Sequence, residues 1–312
     1  MNGPETSLNT TPDLQIRIGS LELDNPVMLA SGTCGYGSEL ADLLDPGGMG
    51  AIVVKGISLE PRRGNRPPRL AETPCGLLNA IGLENVGVEA FISQKLPWLR
   101  DRGVTTIVNI LGSSGDEYEA LAKRLSGCEG VHGLEINISC PNVKAGGVAF
   151  GTDPKQAAEV TKRVVSATDL PVIVKLSPNV TDICTIATAV EEAGASAVSL
   201  INTLLGMAID IHKKRPVLGN VFGGLSGPAI KPVALRMVWQ VARCVNIPVI
   251  GIGGISTASD ALEFFMAGAA AIQIGTATLV DPGAPVKVLE GVVDFMQKNN
   301  YLSVKALSIG SS

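Results

Sequence analysis

Histidine is almost absent: His132 and His212 are the only two in 312 residues. That leaves a histidine-rich metal centre or a serine–histidine relay with almost nothing to work with. The six cysteines, at 34, 75, 128, 140, 184 and 244, form no CxxC pair and none of the close spacings that hold zinc or an iron–sulfur cluster. Reduced thiols and no metal site are the expectation. Lys and Arg are not in excess, and the formal net charge of −4 argues against a broad nucleic-acid or anionic-membrane surface. No stretch approaches the roughly 20 uninterrupted apolar residues of a membrane span. The opening MNGPETSLNTTPDLQ has neither a basic n-region nor an apolar h-region. A soluble, cytoplasmic protein is expected.

Apolar residues, by contrast, make up 46% of the chain. This length is one that an α/β barrel routinely uses as a single domain, so 1–312 is read as one unit. Apolar, β-branched runs alternate with helical patterns, which is the signature of parallel strands joined by crossover helices. The runs predict eight strands, at 27–30, 51–55, 105–111, 134–138, 172–176, 197–202, 249–251 and 271–275. Helices are expected at 38–44, 87–102, 117–126, 153–167, 182–193, 229–245, 258–267 and 285–299. The pattern predicts a closed (β/α)8 TIM barrel. Ahead of it, 14–18 and 21–23 flank Gly19-Ser20 and read as a short β-hairpin plugging the bottom. The segment 58–85 is too rich in Pro, Gly and Arg for a regular element, and a loop of that length is usually functional.

Five of the apolar runs end in a polar side chain: Lys55, Asn109, Asn137, Lys175 and Asn202. Period-2 alternation places Val53 with Lys55, Ile107 with Asn109, Glu135 with Asn137, Ile173 with Lys175 and Leu200 with Asn202, each pair on one strand face. Each polar residue read alone could mark a strand surfacing into water. If the shared face is the barrel interior, two ammonium groups and three amides converge at the top, where active sites of this architecture sit. Two lysines desolvated together require an anionic ligand or a carboxylate nearby.

The last two strands end in glycine turns, GIGGIS (251–256) and IGTA (274–277). Glycine lets backbone N–H groups approach an anion, Ser256 or Thr257 can cap the next helix, and the loops after strands 7 and 8 are the usual phosphate seat of such barrels. Ordinary turn glycine is the alternative. A dinucleotide fingerprint is excluded: Ser256 replaces the third glycine, and no acidic residue closes a strand about twenty positions on. After the fourth strand the chain reads Asn137-Ile-Ser-Cys140-Pro-Asn142 and then a glycine-rich stretch to Gly151. Cys140 thus lies just past a strand tip, where neighbouring ammonium groups would favour its thiolate and let it act as a base. The other five cysteines are read as buried small hydrophobes.

Ten ordered segments now coincide with one family. They are ASGTCGYG (30–37), VVKGIS (53–58), ETPCGLLNAIGLENVG (72–87), VNILGSS (108–114), LEINISCPNVKAGG (134–147), IVKLSPN (173–179), LINTLLGMAID (200–210), GGLSGPA (223–229), GIGGIS and IGTA. Through them the chain resembles the class 1 dihydroorotate dehydrogenases over nearly its whole length, most closely the catalytic subunit of class 1B. The resemblance implies an FMN at the strand tips and oxidation of dihydroorotate to orotate in pyrimidine biosynthesis. Cys140 would remove the C5 proton while a hydride leaves C6. Lys55 and Lys175 would lie beside the flavin and stabilise its reduced charge. Ser31, Gly56, Asn109, Asn137, Ile201 and Gly227 would contact flavin or ribityl chain, and Gly253, Gly254, Gly275 and Thr276 the phosphate. Substrate would meet Lys55, the loop Asn79, Ala80, Ile81, Gly82 and Leu83, and Asn137, Asn202 and Thr203.

With no second nucleotide motif and no cluster-binding cysteines in the chain, electrons need an outside acceptor. The class 1B resemblance implies a partner subunit carrying FAD and a 2Fe-2S cluster that passes them to NAD+, in a heterotetramer of two catalytic and two electron-transfer subunits. Three alternatives stay open: a class 1A-type homodimer reducing fumarate, a related FMN barrel oxidoreductase acting on dihydropyrimidines, and a phosphate-binding barrel acting on a sugar phosphate without redox work.

Overall fold

The structure, a computed structural model, describes residues 11–139, 141–142 and 148–310. Eight parallel strands close into a barrel. They are β1 (Val27–Leu29), β2 (Ala51–Ile57), β3 (Thr106–Ile110), β4 (Gly133–Asn137), β5 (Val172–Lys175), β6 (Ala197–Leu200), β7 (Val249–Ile252) and β8 (Ala271–Ile274). Each pairs with its chain-order neighbours, and β8 closes on β1. The (β/α)8 fold and its eight expected strands are all present.

Alternation within each strand separates two cores. Val54, Val108, Ile136, Val174, Val198 and Ile272 face outward and pack with the helices, against Tyr118, Val160, Ile186, Val238 and Phe264. The other face points into the barrel, where Met28, Val53, Ile107, Ile173, Ala197, Ile250 and Ala271 form a second apolar layer. Ile18 and Leu23 complete that layer from below. They come from the expected hairpin, Ile16–Ile18 paired antiparallel with Leu21–Leu23. Its turn favours Gly19, whose φ of 59° strains an L side chain.

Four of the helices that follow strands start at side-chain caps, which fixes where their βα loops end. Ser114 accepts from the Glu117 amide, Asp153 from Lys155 and Gln156, Asp182 from Cys184, and Thr257 from Asp260. Such caps satisfy backbone donors that the first helical turn leaves free. No described helix is long and apolar enough to cross a membrane.

Three expectations are corrected. The helix expected at 38–44 is a single 3-10 turn, Ser38–Leu40. The segment 58–85 is not irregular throughout: it contains Leu70–Thr73 and Gly76–Asn79, which pair with each other. Gly76–Asn79 also pairs with Phe222–Ser226, and that strand with Leu204–Met207, giving a four-stranded antiparallel sheet above the barrel. These strands are short and surrounded by turn formers, and half of the sheet comes from a distant loop, so no local alternation announces it. The third correction concerns strand 6. Leu200 packs outward with Val198, while Ser199 is the residue turned toward the interior groups. Alternation ends with the strand at Leu200, and Asn202 reaches the mouth from beyond it.

Ile18→Ala is expected to lower the unfolding free energy by about 2–5 kcal/mol, the range for large-to-small changes at fully buried sites. A urea titration checks this, and an unchanged midpoint would place the hairpin outside the cooperative core.

Candidate active site

A cavity of about 1120 Å³ opens at the C-terminal ends of the strands, between the barrel mouth and the four-stranded sheet. Lys55, Asn109, Asn137 and Lys175 line it from strand tips, and Asn202 and Thr203 from the chain after β6. Asn79, Ala80, Ile81, Gly82 and Leu83 form part of its upper wall. Ser31, Gly56, Ile201, Gly227, Gly253, Gly254, Gly275 and Thr276 are also on its surface. The structure therefore brings together every expected binding residue. Cys140 lies outside the described residues.

Beneath the cavity floor is a group that the sequence reading did not single out as a site. The Glu135 carboxylate, fully buried in the barrel, accepts from Asn109 Nδ2 at 2.7 Å, Ser199 Oγ at 2.8 Å and Gln273 Nε2 at 2.8 Å. Lys175 Nζ lies 3.6 Å away. Five strands contribute, since these residues stand on β3, β4, β5, β6 and β8. This is the carboxylate that a desolvated lysine requires, because a charge held out of water needs a counter-charge or a full set of hydrogen bonds. The signal was in the pattern: LEIN puts Glu135 on the face of Asn137, and AIQIG puts Gln273 on the face of Gly275.

On the opposite wall the glycine turn after β7 approaches its neighbours so closely that no side chain fits at Gly253 or Gly254. A Cβ on Gly253 would stand 2.7 Å from Ala234 Cβ, and one on Gly254 2.7 Å from Lys231 Cβ and 2.9 Å from the Gly227 carbonyl oxygen. Both glycines have positive φ, 129° and 73°, where an L side chain is strained. The helix start on this wall already has an acidic partner. Asp260 Oδ2 accepts from the amides and hydroxyls of both Ser256 and Thr257, at 2.9–3.0 Å. Lys231 Nζ donates to Asp260 at 2.6 Å and to Glu263 at 3.0 Å. An anion here would meet glycine backbone rather than an open helix end.

The loop that bears Cys140 is tied at both ends. The Asn202 amide donates to Ser139 Oγ at 2.9 Å, and the Gly151 amide to the Ile138 carbonyl at 2.7 Å. Between them Pro141–Asn142 pairs antiparallel with Val148–Ala149, a short ladder in the glycine-rich stretch. Tyr118 OH donates to the Asn137 carbonyl at 2.6 Å and packs edge-on against Phe150. Of the other cysteines only Cys34 is wholly buried, and burial pushes its thiol up to about 12. Cys75 is exposed and the remaining three are partly so, which corrects the reading of all five as interior residues.

A (β/α)8 barrel with ammonium groups, primary amides and glycine turns around one deep cavity is built as a small-molecule enzyme of the strand-tip type. The sequence profile described as dihydroorotate dehydrogenase matches residues 13–296. The chain belongs to that family. The dihydroorotate dehydrogenase B (NAD(+)), catalytic subunit, of Geotalea uraniireducens is 57% identical over 296 residues, covering 95% of this chain and 97% of the relative. Proteins of the same name from Geobacter sulfurreducens and Desulforamulus reducens are each 56% identical, with the same coverage of both chains. The class 1B resemblance read from the motifs agrees with these relatives.

Burial pushes the Asp260 carboxyl up, but hydrogen bonds from Lys231, Ser256 and Thr257 outweigh it and hold it at about 2. A carboxyl depressed on folding stabilises the fold above its unfolded value of roughly 3.9, and that contribution fades as pH falls through the folded value. Asp260→Asn should therefore unfold more easily by about 2 kcal/mol at pH 7. Paired denaturant titrations should show the gap closing between pH 4 and pH 2, whereas a pH-independent gap would contradict it.

Proposed function

We propose that this chain oxidises dihydroorotate to orotate on bound FMN, with Cys140 as the base, in cytoplasmic pyrimidine biosynthesis, and that 1–312 works as one FMN-binding barrel domain. The observation that carries the reading is the meeting, in one cavity, of the Lys55 and Lys175 ammonium groups, the strand-tip amides and the glycine turns after β7 and β8. Membership of the family brings a flavin, and the residues present suit FMN. Asn109 Oδ1 and Gln273 Oε1 are buried with no hydrogen-bond partner, so they call for donors such as those of a ribityl chain or a flavin imide. The glycine turns after β7 and β8 offer a phosphate backbone N–H groups with no side chain beside them.

In this reading Ser31, Gly56, Asn109, Asn137, Lys175, Ile201 and Gly227 hold the flavin and its ribityl chain, and Gly253, Gly254, Gly275 and Thr276 its phosphate. The cations Lys55 and Lys175 favour negative charge on the cofactor by Coulomb attraction. The substrate ring presents alternating N–H and C=O groups, which primary amides can meet with both ends. Asn79, Asn137 and Asn202 supply such amides, Thr203 a hydroxyl, and the Ala80–Leu83 stretch covers the ring. Lys55 supplies a cation for the substrate carboxylate. The Cys140 thiolate takes the C5 proton and returns it to solvent after the product leaves. Bound FMN would supply the acceptor for the C6 hydride.

Reduced cofactor must pass its electrons on. The relatives are named as NAD(+) enzymes and as catalytic subunits, which favours a partner subunit with FAD and a 2Fe-2S cluster, in a heterotetramer, over a fumarate-reducing homodimer.

The purified protein is expected to be yellow and to bleach anaerobically on addition of dihydroorotate; a colourless protein that binds no flavin would overturn the reading. Cys140→Ala should keep FMN and orotate affinity but reduce its flavin about 10²–10⁴ times more slowly, the usual contribution of a positioned base. Stopped-flow reduction at a near-normal rate would remove Cys140 from that role. Lys175→Ala should also slow flavin reduction and loosen FMN, and an unchanged rate would contradict its electrostatic part.

A further inference from the structure

Glu135 touches neither solvent nor the cavity, yet three of the four groups it holds line that cavity: Asn109, Lys175 and Gln273. An ionised carboxylate only accepts hydrogen bonds, so each amide beside it must turn its NH2 inward. The carbonyl oxygens of Asn109 and Gln273 are thereby left over, and these are the two buried side-chain atoms among the described residues without a partner. Ser199 Oγ takes up part of the remaining acceptor capacity at 2.8 Å, which leaves the amides no reason to flip. The same carboxylate stands 3.6 Å from the Lys175 ammonium and offsets part of its charge.

We propose that Glu135 is the positioning residue of the cofactor seat: it orients the Asn109 and Gln273 carbonyls as acceptors for FMN and tempers the Lys175 charge, and Gln273 is itself an FMN-binding residue. The proposal rests on the FMN reading above. It carries two separable consequences. Replacing Glu135 by Gln offers the neighbouring amides a mixture of donor and acceptor, so their orientation is lost and oxidised FMN binds more weakly. It also removes one negative charge beside Lys175, so reduced, anionic FMN is favoured relative to oxidised FMN. The midpoint potential of the bound flavin then moves in the positive direction.

The test uses full-length protein stripped of flavin and titrated with FMN, followed by flavin fluorescence, together with the midpoint potential of the reloaded protein by dye equilibration. Glu135→Gln should weaken FMN binding at least tenfold. Its potential should rise by at least about 30 mV, which is a tenfold change in the ratio of reduced to oxidised affinity for a two-electron couple. Gln273→Leu, close in volume and without an amide, should weaken FMN at least tenfold and move the potential less, since no charge changes. A Glu135→Gln protein that only melts earlier, with both FMN affinity and potential unmoved, overturns the proposal. If that variant does not fold, Gln273→Leu decides alone: unchanged FMN affinity overturns it. Wild-type protein that fails to bind FMN sinks the proposed function itself, whereas wild-type binding and reduction beside unresponsive variants sink only this inference.

Discussion

A carboxylate sealed inside a protein has to be met by donors, and the barrel is organised around meeting one. Glu135 stands where an apolar layer of side chains from the lower barrel gives way to a polar one. Ser199, Gln273 and Asn109 satisfy its lone pairs, and Lys175 balances its charge. Removing any of these partners would leave a polar group stranded in low dielectric, which costs more than the intact interaction contributes. The constraint is mutual. It holds four other strands in register with β4 at the height where the cavity begins.

That height decides what lies above. One residue further along a strand, side chains would face the helices; two further, they enter the cavity, as Asn137 does beyond Glu135. The lower layer, closed from beneath by Ile18 and Leu23, keeps water out of the floor. The upper sheet closes the other side, and Asn79 Nδ2 ties its two source loops together by donating to the Gly224 carbonyl at 3.2 Å. A site enclosed in this way keeps its lysines and amides oriented before any ligand arrives, which is the condition for electrostatic preorganisation.

The two ends of the chemistry are built by different means. Around β2 to β6 the site consists of side chains presented by strands. Around β7 and β8 it consists of glycine backbone, and Gly253 and Gly254 pack so closely on Ala234 and Lys231 that neither has room for a Cβ. The helix start beside those glycines is reserved for structure by Asp260, which takes four hydrogen bonds from Ser256 and Thr257. Anchoring the loop there and leaving the glycine N–H groups free divides stability from ligand binding within a few residues.

The eight strands, the plug hairpin and most helices were legible in the sequence because a period of two or of 3.6 is a local property. The lysines and asparagines at strand tips were legible for the same reason: counting residues along one strand tells which share a face. What periodicity could not supply was height and partner. Glu135 and Gln273 alternate correctly, but that their side chains meet depends on the stagger between strands far apart in the chain. The four-stranded sheet escaped for a related reason, since Gly76–Asn79 and Phe222–Ser226 are brought together only after the barrel closes. The turn of strand 6 at Leu200 likewise follows from packing. The sequence alone therefore determined the architecture and the kinds of chemical groups at its mouth. Only the tertiary structure decided which of those groups face each other, because hydrogen bonds and ion pairs are set by distance across the barrel rather than along the chain.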